Sequence, residues 1–320
     1  IRPTEATIKE RLPPRMRIRR GAPLELPHIM LLVDDPKKTL IEPLYERRYY
    51  LEKAYDFDLM QNSGHIRGWF VREDREFDRI AQALENLSDP CTFRARYSHD
   101  NGGDDVLLFA VGDGNHSLAT AKAIWEEIKN AYRDKPDAQR ILSEHPARYA
   151  LVELVNLHDE GLPFHPIHRV LSNIDASDFL RMLSAVGAEI QYRSNARQAF
   201  AEVDSEQDSH IFAFVTENKS GTIRFDKPKT LLAVSTIQEY IDEYRKVHPG
   251  LGIDFIHGGT SIETIGRKNG NMGIYLPPIK KESLFSIVVH EGLMPRKTFS
   301  LGEASEKRFY IESRIISPQQ

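Results

Sequence analysis

The chain has 320 residues, 40% hydrophobic and 28% charged, which suits a globular protein of two or three packed units. A formal charge of −4 supplies no overall field for nucleic acid, and a lone cysteine, Cys91, excludes a disulfide framework or cysteine-based zinc site and fits a reducing cytoplasm. No apolar run approaches the roughly 20 residues of a membrane span and no signal peptide is visible, so neither membrane nor nucleic acid is an expected partner.

The sequence starts at Ile1 and in mid-motif, so further residues are expected before it in the full-length protein. Arg11 to Arg20 (RLPPRMRIRR) is the basic stretch. Read as an extended segment stiffened by Pro13-Pro14, it projects alternating arginines from one face toward an anion; the alternative is a solvated basic strand. Glu5, close by, is a candidate base or metal ligand. His28 to Val33 reads as a strand stopped by Asp34-Asp35-Pro36. Thr39 to Leu44 reads as its partner, leading into a helix over Tyr45 to Ala54, and Asp58 to Gly68 as a loop. Phe77 to Leu87 has amphipathic helical spacing and ends at Asp89-Pro90.

The run from Val106 to Asn130 is the most informative. Val106 to Val111 reads as a buried strand, and a helix follows at once with Leu118, Ala121, Trp125, Ile128 and Tyr132 on one face. Between them lies Gly112-Asp113-Gly114-Asn115-His116. Such a junction aims backbone N–H groups and the positive end of the helix dipole at one point, a ready phosphate site. Asp113 and His116 put a carboxylate and an imidazole in the same turn. The bland alternative is a helix cap, with Asp113 or Asn115 capping and the glycines turning the corner. A dinucleotide fingerprint fails, because Ser117 stands where the third glycine belongs and no acidic residue closes a second strand about 20 residues on. No GxxxxGK[ST] loop occurs, which excludes a P-loop enzyme.

A helix follows over Ala138 to Glu144, then a strand over Tyr149 to Asn156. His158-Asp159 and His165-Pro166-Ile167-His168-Arg169 bring histidines together, but the proline-interrupted spacing and the absence of HExxH favour a loop over a metal site, with His168 and Arg169 as anion contacts. Beyond lie a helix over Asp178 to Val186, a strand over Glu189 to Tyr192 and a helix over Ala196 to Val203. A hairpin pairs His210 to Val215 with Thr222 to Phe225. The remaining expectations are a helix over Ile237 to Val247, strands over Ile253 to His257 and Met272 to Leu276, a helix over Glu282 to Val289, and a last strand over Arg308 to Ile315. Met294 to Ser300 with Glu306-Lys307-Arg308 reads as an exposed charged turn, or as a second basic element with Lys297. The mixture of elements implies a mixed-sheet α/β or α+β architecture. A division near Asn173 separates a nucleotide-binding part, residues 1–172, from a plainer α+β part, residues 173–320.

Six stretches together resemble the prokaryotic domain-of-unknown-function family 1015: Thr4 to Arg15, Leu26 to Pro36, Gly112 to Lys122, Pro166 to Val170, Asp254 to Gly258 and Leu293 to Arg314. The Asp-Gly-x-His turn is similar to the nucleotide-contacting turn of ParB/sulfiredoxin-like folds, a group that includes free-serine kinases. The resemblance implies a ParB/sulfiredoxin-like nucleotide-binding core with a second, C-terminal α+β unit. It also implies a carboxylate pair that activates a substrate hydroxyl, matched here by Asp113 and by Glu5. Many relatives carry Asp-Gly-His-His-Arg where this chain has Asp113-Gly114-Asn115-His116-Ser117; the missing arginine must be replaced by Arg15 or Lys297.

The expected function is phosphoryl transfer from ATP, ADP or another phosphoanhydride to a small hydroxyl metabolite such as serine. Asp113, Glu5 and His116 are the catalytic candidates. Gly112, Gly114, Asn115, Arg11, Arg15, Arg19, His168, Arg169 and Lys297 are the cofactor-binding ones, and Asp113 is the ligand for Mg²⁺. The alternative is a nucleotide-binding switch without turnover, for which Glu5 is dispensable.

Overall fold

A computed structural model describes residues 1–26, 28–97, 105–206, 209–302 and 309–317. The chain forms two compact units. One comprises residues 1–162, 288–293 and 303–320, and the other residues 163–287 and 294–302. The boundary expected at Asn173 therefore moves to follow Leu162, and two later segments return to the first unit. The reason is β-pairing: residues 168–172 are a strand of the second unit's sheet.

In the first unit the elements are β1 (Arg2–Pro3), α1 (Leu12–Arg19), β2 (Leu24–Glu25), β3 (Met30–Val33), α2 (Glu42–Glu46), β4 (Glu52–Asp58) and β5 (His65–Phe70). There follow α3 (Asp74–Leu87), α4 (Pro90–Tyr97), β6 (Ala110–Asp113), α5 (Asn115–Tyr132), α6 (Ala138–Glu144) and β7 (Glu153–Asn156). A mixed sheet runs in the order β1-β6-β3-β7. β6 is parallel to β1 and antiparallel to β3, and β3 is parallel to β7. Ile29, Leu31 and Val111 form a core against Leu118 of α5, while Val33 packs on Leu40 and Ala83 of α3.

The second unit holds β8 (Phe164–Pro166), β9 (His168–Ser172), α7 (Ala176–Ala185), β10 (Glu189–Arg193), α8 (Ala196–Ser205), β11 (His210–Val215) and β12 (Ser220–Phe225). It continues with α9 (Ala233–Val247), β13 (Gly252–Ile256), α10 (Gly259–Gly266) and β14 (Asn271–Tyr275). The last elements of the chain are α11 (Leu284–His290), β15 (Phe299–Leu301) and β16 (Arg314–Ile315). An antiparallel sheet of order β10-β12-β11-β14-β9-β13 is covered by helices; Ala199 and Val203 of α8 pack on Ile211 and Ala213.

The fold is thus mixed α/β, as expected, while several elements differ. Arg11 to Arg20 is helical, not extended. Pro13-Pro14 lie in the first turn, where missing N–H groups and a fixed φ are tolerated. The helix expected over Tyr45 to Ala54 gives way to a short α2 and strand β4, which pairs with β5 across the stretch read as a loop. Tyr55 and Phe57, two residues apart as a strand period requires, meet with ring planes tilted by 60°. Thr39 to Leu44 is no strand, because the buried Asp35 carboxylate accepts from the Thr39 and Leu40 amides at 2.5 and 2.9 Å and bends the chain into α2. The expected loop around His168 is β9. Of the expected last strand only Arg314–Ile315 is extended, and residues 306–308 lie outside the described residues. Among the described residues no helix is long and apolar enough to cross a membrane.

Candidate active site at the strand-to-helix turn

β6 ends at Asp113 and α5 begins at Asn115, with Gly114 alone making the corner at φ +86°. The Gly114 carbonyl accepts from Ser117 and Leu118, which opens the helix, and the Gly114 amide donates to Asp113 Oδ1 at 2.7 Å. Asp113 is exposed. The first turn of α5 therefore meets solvent with the positive end of an 18-residue helix and a carboxylate at its mouth.

The N-terminal segment is fastened over this turn by three bonds. Thr4, buried, donates its hydroxyl to Val111 O at 2.7 Å; Asn115 Nδ2 donates to Glu5 O at 3.3 Å; and the Ile8 amide donates to His116 Nε2 at 3.0 Å. The backbone of Glu5 and Ile8 is thereby joined to Asn115 and His116, the residues that follow Asp113 and Gly114, across more than a hundred residues. Asn115 Oδ1 is buried with no hydrogen-bond partner among the described residues.

Because Nε2 accepts, His116 is the neutral imidazole with its proton on Nδ1. Burial lowers its pKa, and the positive charges of Arg15 and Arg11 lower it further. Arg11, which precedes α1, and Arg15, one helical turn on within it, thus act on the turn, and α1 packs on α5. Arg19 does not join them: it is held at 2.6 Å by the buried Glu25, which also takes Arg314 at 2.7 Å and the Leu151 amide. Burial alone would raise the Glu25 pKa, but Arg19, Arg314 and that amide outweigh it and keep the carboxyl below its usual range.

The His116 bond has a pH consequence. The folded state holds this imidazole neutral below the pH at which a free histidine charges, so the unfolded chain binds more protons there and stability rises with pH. The clamp is expected to be intact at pH 7 and lost on acidification from about 6.5, the ordinary histidine value, through the lowered folded one. An NMR titration should show the His116 ring and the Ile8 amide moving with one midpoint below 6.5, and Arg15→Gln raising it. An Ile8 amide indifferent to His116 protonation would refute the clamp.

Three expected contacts serve another purpose. His168 is buried on β9, stacks on Tyr275 and accepts the Leu276 amide through Nδ1; burial, Arg169 and His257 push its pKa down to about 4. The fully buried Arg169 donates to the carbonyls of Ile167, Lys297 and Arg296. Lys297, at φ +58°, supplies one of those carbonyls within the second unit. His168 and Arg169 are thus core residues and not anion contacts, because the pairing of β9 between β14 and β13 takes both inside. The histidines once grouped by sequence are split, His158 in the first unit and His165 and His168 in the second. Among the described residues no group of three or more His, Cys, Asp and Glu is arranged to hold a metal.

Two features were not legible in the sequence. His28, two residues before β3, bonds Ser117 through Nε2 and passes its carbonyl beside Gly114. At the opposite end of the same strand, Asp34 accepts from His158 Nε2 at 2.6 Å and from Tyr97 and Arg96; burial and that carboxylate push the Tyr97 phenol far above its ordinary pKa. Both residues lie in the strand-and-turn stretch Leu26 to Pro36 read from the sequence, but nothing in it pointed to these side-chain partners.

The structure is similar in fold to a free serine kinase mutant in complex with ADP and to the AMP complex of such a mutant. Each match has 11% identity and a TM-score of 0.51, and covers 99% of this chain and 88% of that one. A conserved hypothetical protein from Pyrococcus furiosus matches less closely, with a TM-score of 0.45 at 11% identity, over 99% of this chain and 91% of that one. No curated protein matches the sequence. The family model described as "Protein of unknown function (DUF1015)" matches residues 1–244, and the chain belongs to that family.

Proposed function

We propose that the chain is a nucleotide-dependent phosphotransferase acting on a small hydroxyl metabolite such as free serine, at the turn Gly112 to His116. The observation that carries this reading is the clamp of Thr4 to Ile8 over the turn, which ties the Glu5 carbonyl to Asn115 and the Ile8 amide to His116 at a helix N-terminus that carries Asp113 and feels the charges of Arg11 and Arg15. Phosphoryl transfer asks for that combination of cations, dipole and base, with little covalent chemistry from the protein. Asp113 accepts the substrate proton, Glu5 orients the hydroxyl, and His116 is a positioning residue through Ile8. Arg11, Arg15, His28 and the α5 amides bind phosphate, with His28 beside Ser117 where many relatives have arginine. The fold likeness to a kinase solved with ADP and AMP supports the choice of nucleotide.

Magnesium fits this site only as a partner of the nucleotide. Asp113 is an exposed carboxylate at the turn, and Mg²⁺ commonly binds through one or two carboxylates, several waters and substrate phosphates. When bound, it would neutralise phosphate charge; Asp113 is the residue that would hold it or its water.

Calorimetry with ATP, ADP, CTP and pyrophosphate, each with and without Mg²⁺, should give binding that tightens with the metal. Flat titrations for all four on full-length protein would end the reading. Incubation with ATP or ADP and serine, followed by detection of phosphoserine, tests turnover. A nucleotide switch is the second reading, favoured by one detail: Asn115 holds the carbonyl of Glu5, so the clamp persists without the Glu5 carboxylate. Glu5→Gln separates the two, losing turnover under the first and leaving nucleotide affinity and readout intact under the second.

A further inference from the structure

We infer that the second unit carries a separate site for a free amino acid with an apolar side chain, in a cavity of about 380 Å³ bounded by the α7–β10 turn, the end of β12 and α9. That volume falls among ordinary small-molecule sites. One wall is rigid and apolar: Phe225 and Tyr240 stack with ring centroids 5.2 Å apart and planes 5° from parallel, and Val186 adds to it.

The rim is also built, not frayed. Thr230 bonds the Leu232 carbonyl at 3.1 Å and shares a 2.8 Å bond with Thr236, whose buried hydroxyl meets His210 Nδ1 at 2.8 Å. This network ties the Asp226 to Thr230 loop to the first turn of α9.

Charge then selects the ligand. Lys227 and Lys229 line the cavity together with Asp226 and Glu239, and none of the four has an ion pair with another described residue. A simple anion would face two carboxylates, and a simple cation two ammonium groups. A zwitterion satisfies both: its carboxylate meets the lysines near the positive end of α9, and its ammonium meets Asp226 or Glu239. Its side chain lies on the Phe225–Tyr240 wall.

The test uses the full chain and three probes, L-phenylalanine, N-acetyl-L-phenylalanine and phenethylamine, followed by ligand-observed NMR and thermal shift. L-Phenylalanine should bind saturably, and removing its ammonium or its carboxylate should weaken binding by about tenfold or more, the size of one charge-assisted hydrogen bond. Glu239→Gln, an exposed and conservative change, should weaken L-phenylalanine and shrink its advantage over the acetylated analogue. Asp113→Asn should leave all three affinities unchanged, which keeps this site distinct from the turn. Equal binding of the acetylated analogue would make the cavity an anion site. No binding of L-phenylalanine at millimolar concentration would overturn the inference outright.

Discussion

Asp113→Asn is expected to lower phosphoryl transfer by about two to four orders of magnitude, the usual effect of losing a general base. The fold should survive. Asp113 is exposed, and its described bond, accepted at Oδ1 from the Gly114 amide at 2.7 Å, needs only a carbonyl oxygen that asparagine retains. The charge that takes the substrate proton, or holds Mg²⁺ with the nucleotide, is what disappears. Initial rates of phosphoserine formation, with a thermal melt as the control for folding, make the measurement. If wild type turns over and the variant matches it, Asp113 is only part of a turn and the catalytic assignment fails. If wild type shows no turnover but the variant shifts nucleotide affinity, the switch reading takes its place.

Gly114→Ala should cost roughly 3–5 kcal/mol of stability, combining left-handed backbone strain with overpacking. A Cβ built at Gly114 would stand 2.6 Å from the His28 carbonyl oxygen and 2.8 Å from Ile29 Cα, both backbone atoms that cannot swing aside. The chain passes there because β3 pairs with β6 and its start crosses under the turn. Gly187→Ala is the control: that glycine has φ +96° with open space around it, so only strain, about 1–2 kcal/mol, should appear. Urea unfolding of both variants separates the terms. Equal losses would mean that the contact with His28 is not made. The Gly114 variant should also lose nucleotide binding, since the α5 amides would be re-aimed.

The residues around the turn show how far local sequence reaches. The apolar run into Gly112, the small residues and the 3.6-residue period after Ser117 made strand, turn and helix legible; the strand shifted from Val106–Val111 to Ala110–Asp113, which leaves Gly114 alone as the turn. α3, α6, α7, α8, α9 and the β11–β12 hairpin were legible for the same reason, since period and breakers lie within a few neighbouring residues. α1 was misread because arginines at every second and fourth position suit either a strand or a helix, and Pro13-Pro14 decided for the helix only at its first turn.

Near-neighbour patterns were thus enough for the class of fold, for the family and for the strand-turn-helix on which the proposed site rests. Which distant groups reach that turn depends on the folded chain. Glu5 and Ile8 meet Asn115 and His116 because β1 pairs with β6, and Arg19 is instead held by the buried Glu25. His168 and Arg169 look like anion contacts in a polar string, yet β9 lies between β14 and β13 and buries both. Periodicity is written by near neighbours, whereas burial and juxtaposition are set by strand partners that can lie a hundred residues away.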